Sequence, residues 1–123
     1  MTIVDALYRI DALKPNSCQE GEKIKWLSML DGIIKSEIID THEGGLDVKF
    51  NGYTEDTDIN TVLLVPAPYD DVYLRWLEAR IDYTNGEYKR YNNSLTAFED
   101  AYNQFVNYYN RIHMPKSKGR FKF

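Results

Sequence analysis

A mainly α fold, a small bundle of about four helices, is predicted by three observations. Apolar residues recur every three or four positions through four stretches of the chain. Capping patterns precede the first two stretches, and Pro15, Gly44-Gly45 and Pro66-Ala67-Pro68 fall between stretches, where helices have to stop. Residues 1–113 read as one helical domain with an irregular loop over 41–68, and residues 114–123 read as an extended basic C-terminal arm.

The first helix follows from Thr2 and Asp5 in a capping arrangement, with Ile3, Leu7 and Ile10 at helical spacing and a stop before Pro15. The second is announced by Ser17-Cys18-Gln19-Glu20, a capping box in sequence. Ile24, Leu27, Leu30, Ile34 and Ile38 then form a stripe, widened by Trp26, Met29 and Ile33, and the helix is expected to run to about Asp40. From Thr41 the period disappears. Val48-Lys49-Phe50 and Thr61 to Val65 are β-prone and could pair as a short hairpin across residues 52–60. A loop this long in a small domain points to a contact surface, for which Tyr53, Glu55, Asp56 and Asp58 are the candidates.

A third helix is expected from Tyr69-Asp70-Asp71, carrying Tyr73, Leu77, Ile81, Thr84, Tyr88 and Tyr91 on one face. Gly86 weakens it without necessarily breaking it. Asn92-Asn93-Ser94 supplies the turn before a fourth stripe of Leu95, Phe98, Tyr102, Phe105, Tyr109 and Ile112, giving an antiparallel hairpin. The competing reading is one rod of about 44 residues and roughly 66 Å.

The chain has 123 residues, with 15 basic and 19 acidic side chains. Lys116, Lys118, Arg120 and Lys122 lie in the last ten positions, which hold no acid, so the rest has 11 bases against 19 acids, a charge of −8 beside an arm of +4. Opposite charge on two parts of one chain suits head-to-tail assembly. Ten Tyr against five Phe and two Trp suit half-buried surfaces and subunit contacts. The single Cys18 forms no internal disulfide, no apolar run is long enough to span a bilayer, and the start Met-Thr-Ile-Val-Asp lacks an export pattern, so synthesis in a cytoplasm is expected.

Chemistry is sparse. Asp56-x-Asp58-x-Asn60 opens like a calcium loop, but Thr61 replaces the turn glycine and Ala67 the closing glutamate. His42 and His113 have no ligand spacing to another His or to Cys18. Glu78 and Asp82 share a helical face that is expected to be wet. No phosphate loop or nucleophile elbow occurs, so neither enzyme activity nor a cofactor or metal is expected. In an extended arm Lys118, Arg120 and Lys122 alternate with Gly119, Phe121 and Phe123, which suits docking into another protein or a contact with phosphates.

The order of segments resembles a known family. Leu13-Lys14-Pro15-Asn16, Lys25-Trp26-Leu27, Thr41-His42-Glu43-Gly44-Gly45, Gly52 to Asp58, Leu64-Val65-Pro66 with Pro68-Tyr69-Asp70, and Arg90 to Ser94 are similar to the small head-tail connector, or adaptor, proteins of long-tailed phages and prophages of Gram-positive bacteria. The resemblance implies a helical virion structural protein that assembles as a homo-oligomeric ring in the phage neck, beneath the portal, with DNA passing through without specific recognition. It implies host cytoplasm before assembly, no membrane, and the portal and neighbouring neck or tail-completion proteins as partners. Portal docking then falls to Lys116, Lys118, Arg120, Phe121, Lys122 and Phe123, and subunit or neck contacts to Tyr53, Glu55, Asp56 and Asp58. Two other classes remain: a small nucleic-acid-associated protein that uses the arm on phosphates, and a helical regulatory protein with one partner.

Overall fold

The structure, a computed structural model, describes residues 1–116. Its order is α1 (Ile3–Leu13), α2 (Glu20–Glu37), α3 (Asp71–Thr84) and α4 (Tyr88–Ile112), with 3₁₀ turns at Ile39–Thr41 and Gly45–Asp47. The mainly helical bundle is thus as the apolar spacing predicts.

Helix α1 starts with the expected reciprocal cap: Thr2 Oγ1 accepts from the Asp5 amide at 3.2 Å, and the Asp5 carboxylate accepts from the Thr2 amide at 3.1 Å. The second capping box does not form. Gln19 is the N-cap of α2 and makes no side-chain cap bond. Asn16 organises this corner instead, its Oδ1 accepting from the Cys18 amide at 3.1 Å and from Lys23 Nζ at 3.2 Å. Cys18 therefore precedes the helix rather than lying inside it.

Helix α3 is central, with α2 and α4 on either side. Tyr83 meets Tyr91, Trp76 meets Phe98 and Tyr69 stacks on Tyr108, so α3 and α4 run antiparallel. Trp76 Nε1 donates to the Trp26 carbonyl at 2.8 Å, while Tyr73 reaches Asp31, so α2 is antiparallel to α3 as well. The core joins Ile24, Leu27, Leu30 and Ile34 to Tyr73, Leu77, Ile81, Phe105 and the inner face of α1. Met29 and Ile33, the outer edge of the α2 stripe, stay partly exposed.

The two helices at the end are a hairpin, not a rod, but they turn at Asn85–Glu87 rather than at Asn92-Asn93-Ser94. Gly86 takes φ +74°, a conformation that L side chains avoid. The glycine is therefore the break, and the Asn pair is absorbed as exposed positions of α4.

The 48–65 hairpin does not form either. Residues 59–63 pair with the chain start: Ile3 N donates to Thr61 O at 3.0 Å, Val4 N to Ile59 O at 2.9 Å and Leu63 N to Met1 O at 2.9 Å. Before that, the loop runs back along α2, with Phe50 against Gly32 and the Tyr53 amide donating to Ser28 Oγ at 2.9 Å.

Candidate functional site

The two regions with predicted contact roles sit at opposite ends of α2. At its C-terminal end the chain that leaves α4 is fastened to the turn after α2. Glu43 N donates to Met114 O and Lys116 N to Thr41 O, both at 2.9 Å, with an antiparallel bridge between His42 and Pro115. The predicted body–arm boundary after His113 therefore moves, because residues 114–116 belong to the body by their hydrogen bonds. Lys116 falls within this fastening, and the other predicted docking residues, Lys118, Arg120, Phe121, Lys122 and Phe123, lie outside the described residues.

The turn that receives the chain is rigidly held. His42 is buried, with Nδ1 at 2.5 Å from the Ile38 carbonyl and Nε2 at 2.6 Å from Asn110 Oδ1. Its ring meets Tyr109 edge-on at 4.8 Å, and the His113 ring stacks on Tyr109 at 4.1 Å. Gly45 packs so closely that a Cβ there would lie 2.0 Å from the Ile39 carbonyl oxygen. Lys35 closes the turn through Asp40.

The acidic loop lies at the other end. Glu55 reaches the backbone at Gly21, beside the first turn of α2. Glu55, Asp56 and Asp58 are exposed as predicted contact residues would be. Thr57 Oγ1 accepts from the Thr54 amide at 2.8 Å, and Asp58 Oδ1 accepts from the Asn60 amide at 2.9 Å, so side chains fix the loop's shape. Among the described residues no group of three His, Cys, Asp or Glu is placed to hold a metal ion. Tyr53 does not belong with the exposed acids. It is buried, and its hydroxyl donates to Asp31 at 2.6 Å.

Asp31 is a feature that the sequence reading missed. Its carboxylate is completely buried and accepts from Tyr53 Oη at 2.6 Å, Tyr73 Oη at 2.6 Å and Leu64 N at 3.1 Å. The Tyr73 hydroxyl in turn accepts from Val65 N at 2.7 Å. Burial raises the Asp31 pKa above the usual carboxylate value although its three donors oppose the shift. Both phenols are pushed upward, first by burial and then by the Asp31 charge. One signal was legible: Asp31 follows Leu27 by four positions and precedes Ile34 by three, on the apolar face of α2.

Asp82 also departs from expectation. It is fully buried, bonded to Lys14 Nζ and Ser94 Oγ at 2.6 Å each, whereas Glu78 pairs with Arg75 at 3.3 Å. Arg75 also pairs with Asp71, one turn earlier, at 3.1 Å.

Between α2 and α4 runs a groove of about 580 Å³ with Ile33, Phe98 and Tyr102 in its lining. Glu37, Glu99 and Asp100 also line it, and no Lys or Arg does among the described residues. The Tyr102 hydroxyl donates to Glu37 at 3.2 Å, and burial together with the Glu37 charge holds its pKa at about 12.

No family model, curated protein or solved structure matches this chain. Among the described residues no helix is long and apolar enough to cross a membrane.

Proposed function

We propose that this chain is a head-tail connector subunit of a long-tailed phage or prophage, a structural protein that joins its copies in a ring between portal and tail. The observation that carries the reading is the separation of two contact regions by α2. The exposed acids Glu55, Asp56 and Asp58 lie by its first turn, and the chain leading to the basic arm is fastened beyond its last. The 18 residues of α2 set these ends about 27 Å apart. A subunit stacked between two different partners needs such an arrangement: one end for the portal, the other for a neighbouring subunit or neck protein.

Charge supports the same reading. The arm is basic and suits an acidic portal surface, while the acid-rich body suits a lumen through which DNA slides without adhering. The order of segments that resembles connector proteins spans nearly the whole chain.

The test is light scattering after size exclusion on the protein alone and mixed with the portal protein encoded beside it. Because Met114 and Lys116 hold the turn after α2, the informative truncation ends at Lys116. The expected result is a ring or a portal complex with the full chain, lost in the truncation while helicity is retained. Failure to associate, together with DNA binding that weakens steeply with salt, would move the assignment to a nucleic-acid-associated protein.

A further inference from the structure

The groove between α2 and α4 has the chemistry of a peptide site. Ile33, Phe98 and Tyr102 give it apolar surface, and Ile33 remains 38% exposed at its edge. Trp76 reaches it from α3, its ring 5.1 Å from that of Phe98. Three carboxylates and no cation line the groove among the described residues, and Arg80 sits 5.5 Å from the Trp76 ring without joining that lining. A matching ligand would be an extended segment with aromatic side chains on one side and cations on the other.

Such a segment is present in this chain. Residues 117–123 read Ser-Lys-Gly-Arg-Phe-Lys-Phe, with three cations, two aromatic rings and no acid. In an extended backbone, alternation puts Lys118, Arg120 and Lys122 opposite Gly119, Phe121 and Phe123.

Direction and length agree with charge. Residues 114–116 pair antiparallel with 41–43, so the chain at Lys116 is heading back toward the C-terminal turn of α2, where Glu37 lines the groove. Helices α2 and α4 are parallel there, since Glu37 meets Tyr102 and Ile33 lies across from Phe98, so the groove continues in that same direction. Thr41 to Ile33 is about 12 Å of helical rise. Seven extended residues span up to about 24 Å, enough to cover it.

We propose that in the free protein residues 117–123 occupy the α2–α4 groove of their own chain, with Phe121 on the aromatic floor and the cations against Glu37, Glu99 and Asp100. The groove is then an intramolecular docking site for the arm. This assignment stands apart from the connector reading, because it concerns the isolated subunit.

The experiment uses the full chain with Phe121 replaced by the photo-crosslinker p-benzoylphenylalanine. Unlabelled and heavy-isotope-labelled protein are mixed in equal parts, irradiated at low concentration and mapped by mass spectrometry. The expected result is crosslinks to the α2–α4 groove within single chains, with no mixed-isotope pairs. The double variant Glu99→Lys with Asp100→Lys should lower their yield about tenfold, the factor given by about 1.4 kcal/mol of lost attraction. Both positions are exposed, so the core should tolerate the reversal, and the far-ultraviolet helical signal verifies this. Mixed-isotope groove crosslinks would overturn the proposal in favour of a second copy as the donor. Crosslinks elsewhere, or groove crosslinks indifferent to the charge reversal, would also overturn it.

Discussion

Asp31 is a carboxylate in the core with three hydrogen-bond donors and no cation among its bonded partners. Removing it leaves two phenols and one amide with no acceptor in a site that water does not reach. Asp31→Ala should therefore cost at least about 3 kcal/mol, read from the urea midpoint. The pH dependence has an unusual sign for an aspartate. Its pKa is raised in the folded state, so the fold takes up the proton before the unfolded chain does. As pH falls from neutral toward the unfolded value, stability gained from this group should increase; as pH rises through the folded value, it is lost. Relative to Asp31→Asn, which has no proton to take up, the wild type should gain stability between neutral pH and about pH 4. A constant difference across that range would contradict the burial-driven shift. His42 plays a different part: both ring nitrogens are engaged, so the imidazole works as a bolt between the α2 end and α4.

Elements are joined by polar contacts that periodicity does not encode. Lys14, just past α1, reaches Asp82 on α3, which also holds Ser94 on α4, so one buried carboxylate ties three helices. Lys14→Met should destabilise by about 3 kcal/mol because Asp82 stays buried with only a hydroxyl partner. Ser94→Ala should cost only about 1 kcal/mol; chemical denaturation of the two variants tests the order, and equal losses would contradict it. The helices themselves were legible, since Ile24, Leu27, Leu30 and Ile34, or Tyr73, Leu77 and Ile81, follow a local spacing that burial selects directly. The turn between α3 and α4 was misplaced because Asn92 and Asn93 look like breakers, yet as exposed helical residues they cost little. The hairpin failed for a non-local reason: residues 59–63 find their hydrogen bonds at residues 1–4, a pairing absent from either segment's own pattern. Of the contact candidates, Glu55, Asp56 and Asp58 were legible as polar loop residues. Tyr53 was not, because its partner Asp31 lies 22 positions away.

For the whole molecule, the loop over 41–68 is less a loose insertion than a strap. It is bonded to α2 through Ser28, to the chain start through Thr61 and to the core through Asp31 and Tyr73. A body with its longest connection sewn down offers fixed positions for its acids, which suits a spacer that must hold two neighbours at a set distance. Charge is distributed in the same way, with the acids across the body and a cluster of cations confined to the arm.

The strap also affects the timing of solvent access. Backbone protons outside helices and strands ordinarily exchange with deuterium through small local openings. Those of Leu64 and Val65 lie outside every helix, but their acceptors, the Asp31 carboxylate and the Tyr73 hydroxyl, belong to fully buried residues of two different helices. The two acceptors are themselves bonded across the seam between α2 and α3, Tyr73 Oη donating to Asp31 at 2.6 Å. These two protons should exchange as slowly as the most protected ones within the helices, as measured by amide-resolved nuclear magnetic resonance, and should quicken together when Asp31 is replaced. Fast exchange in the wild type would mean that the strap lifts on its own. Slow exchange would make two loop residues the clock for opening of the entire core.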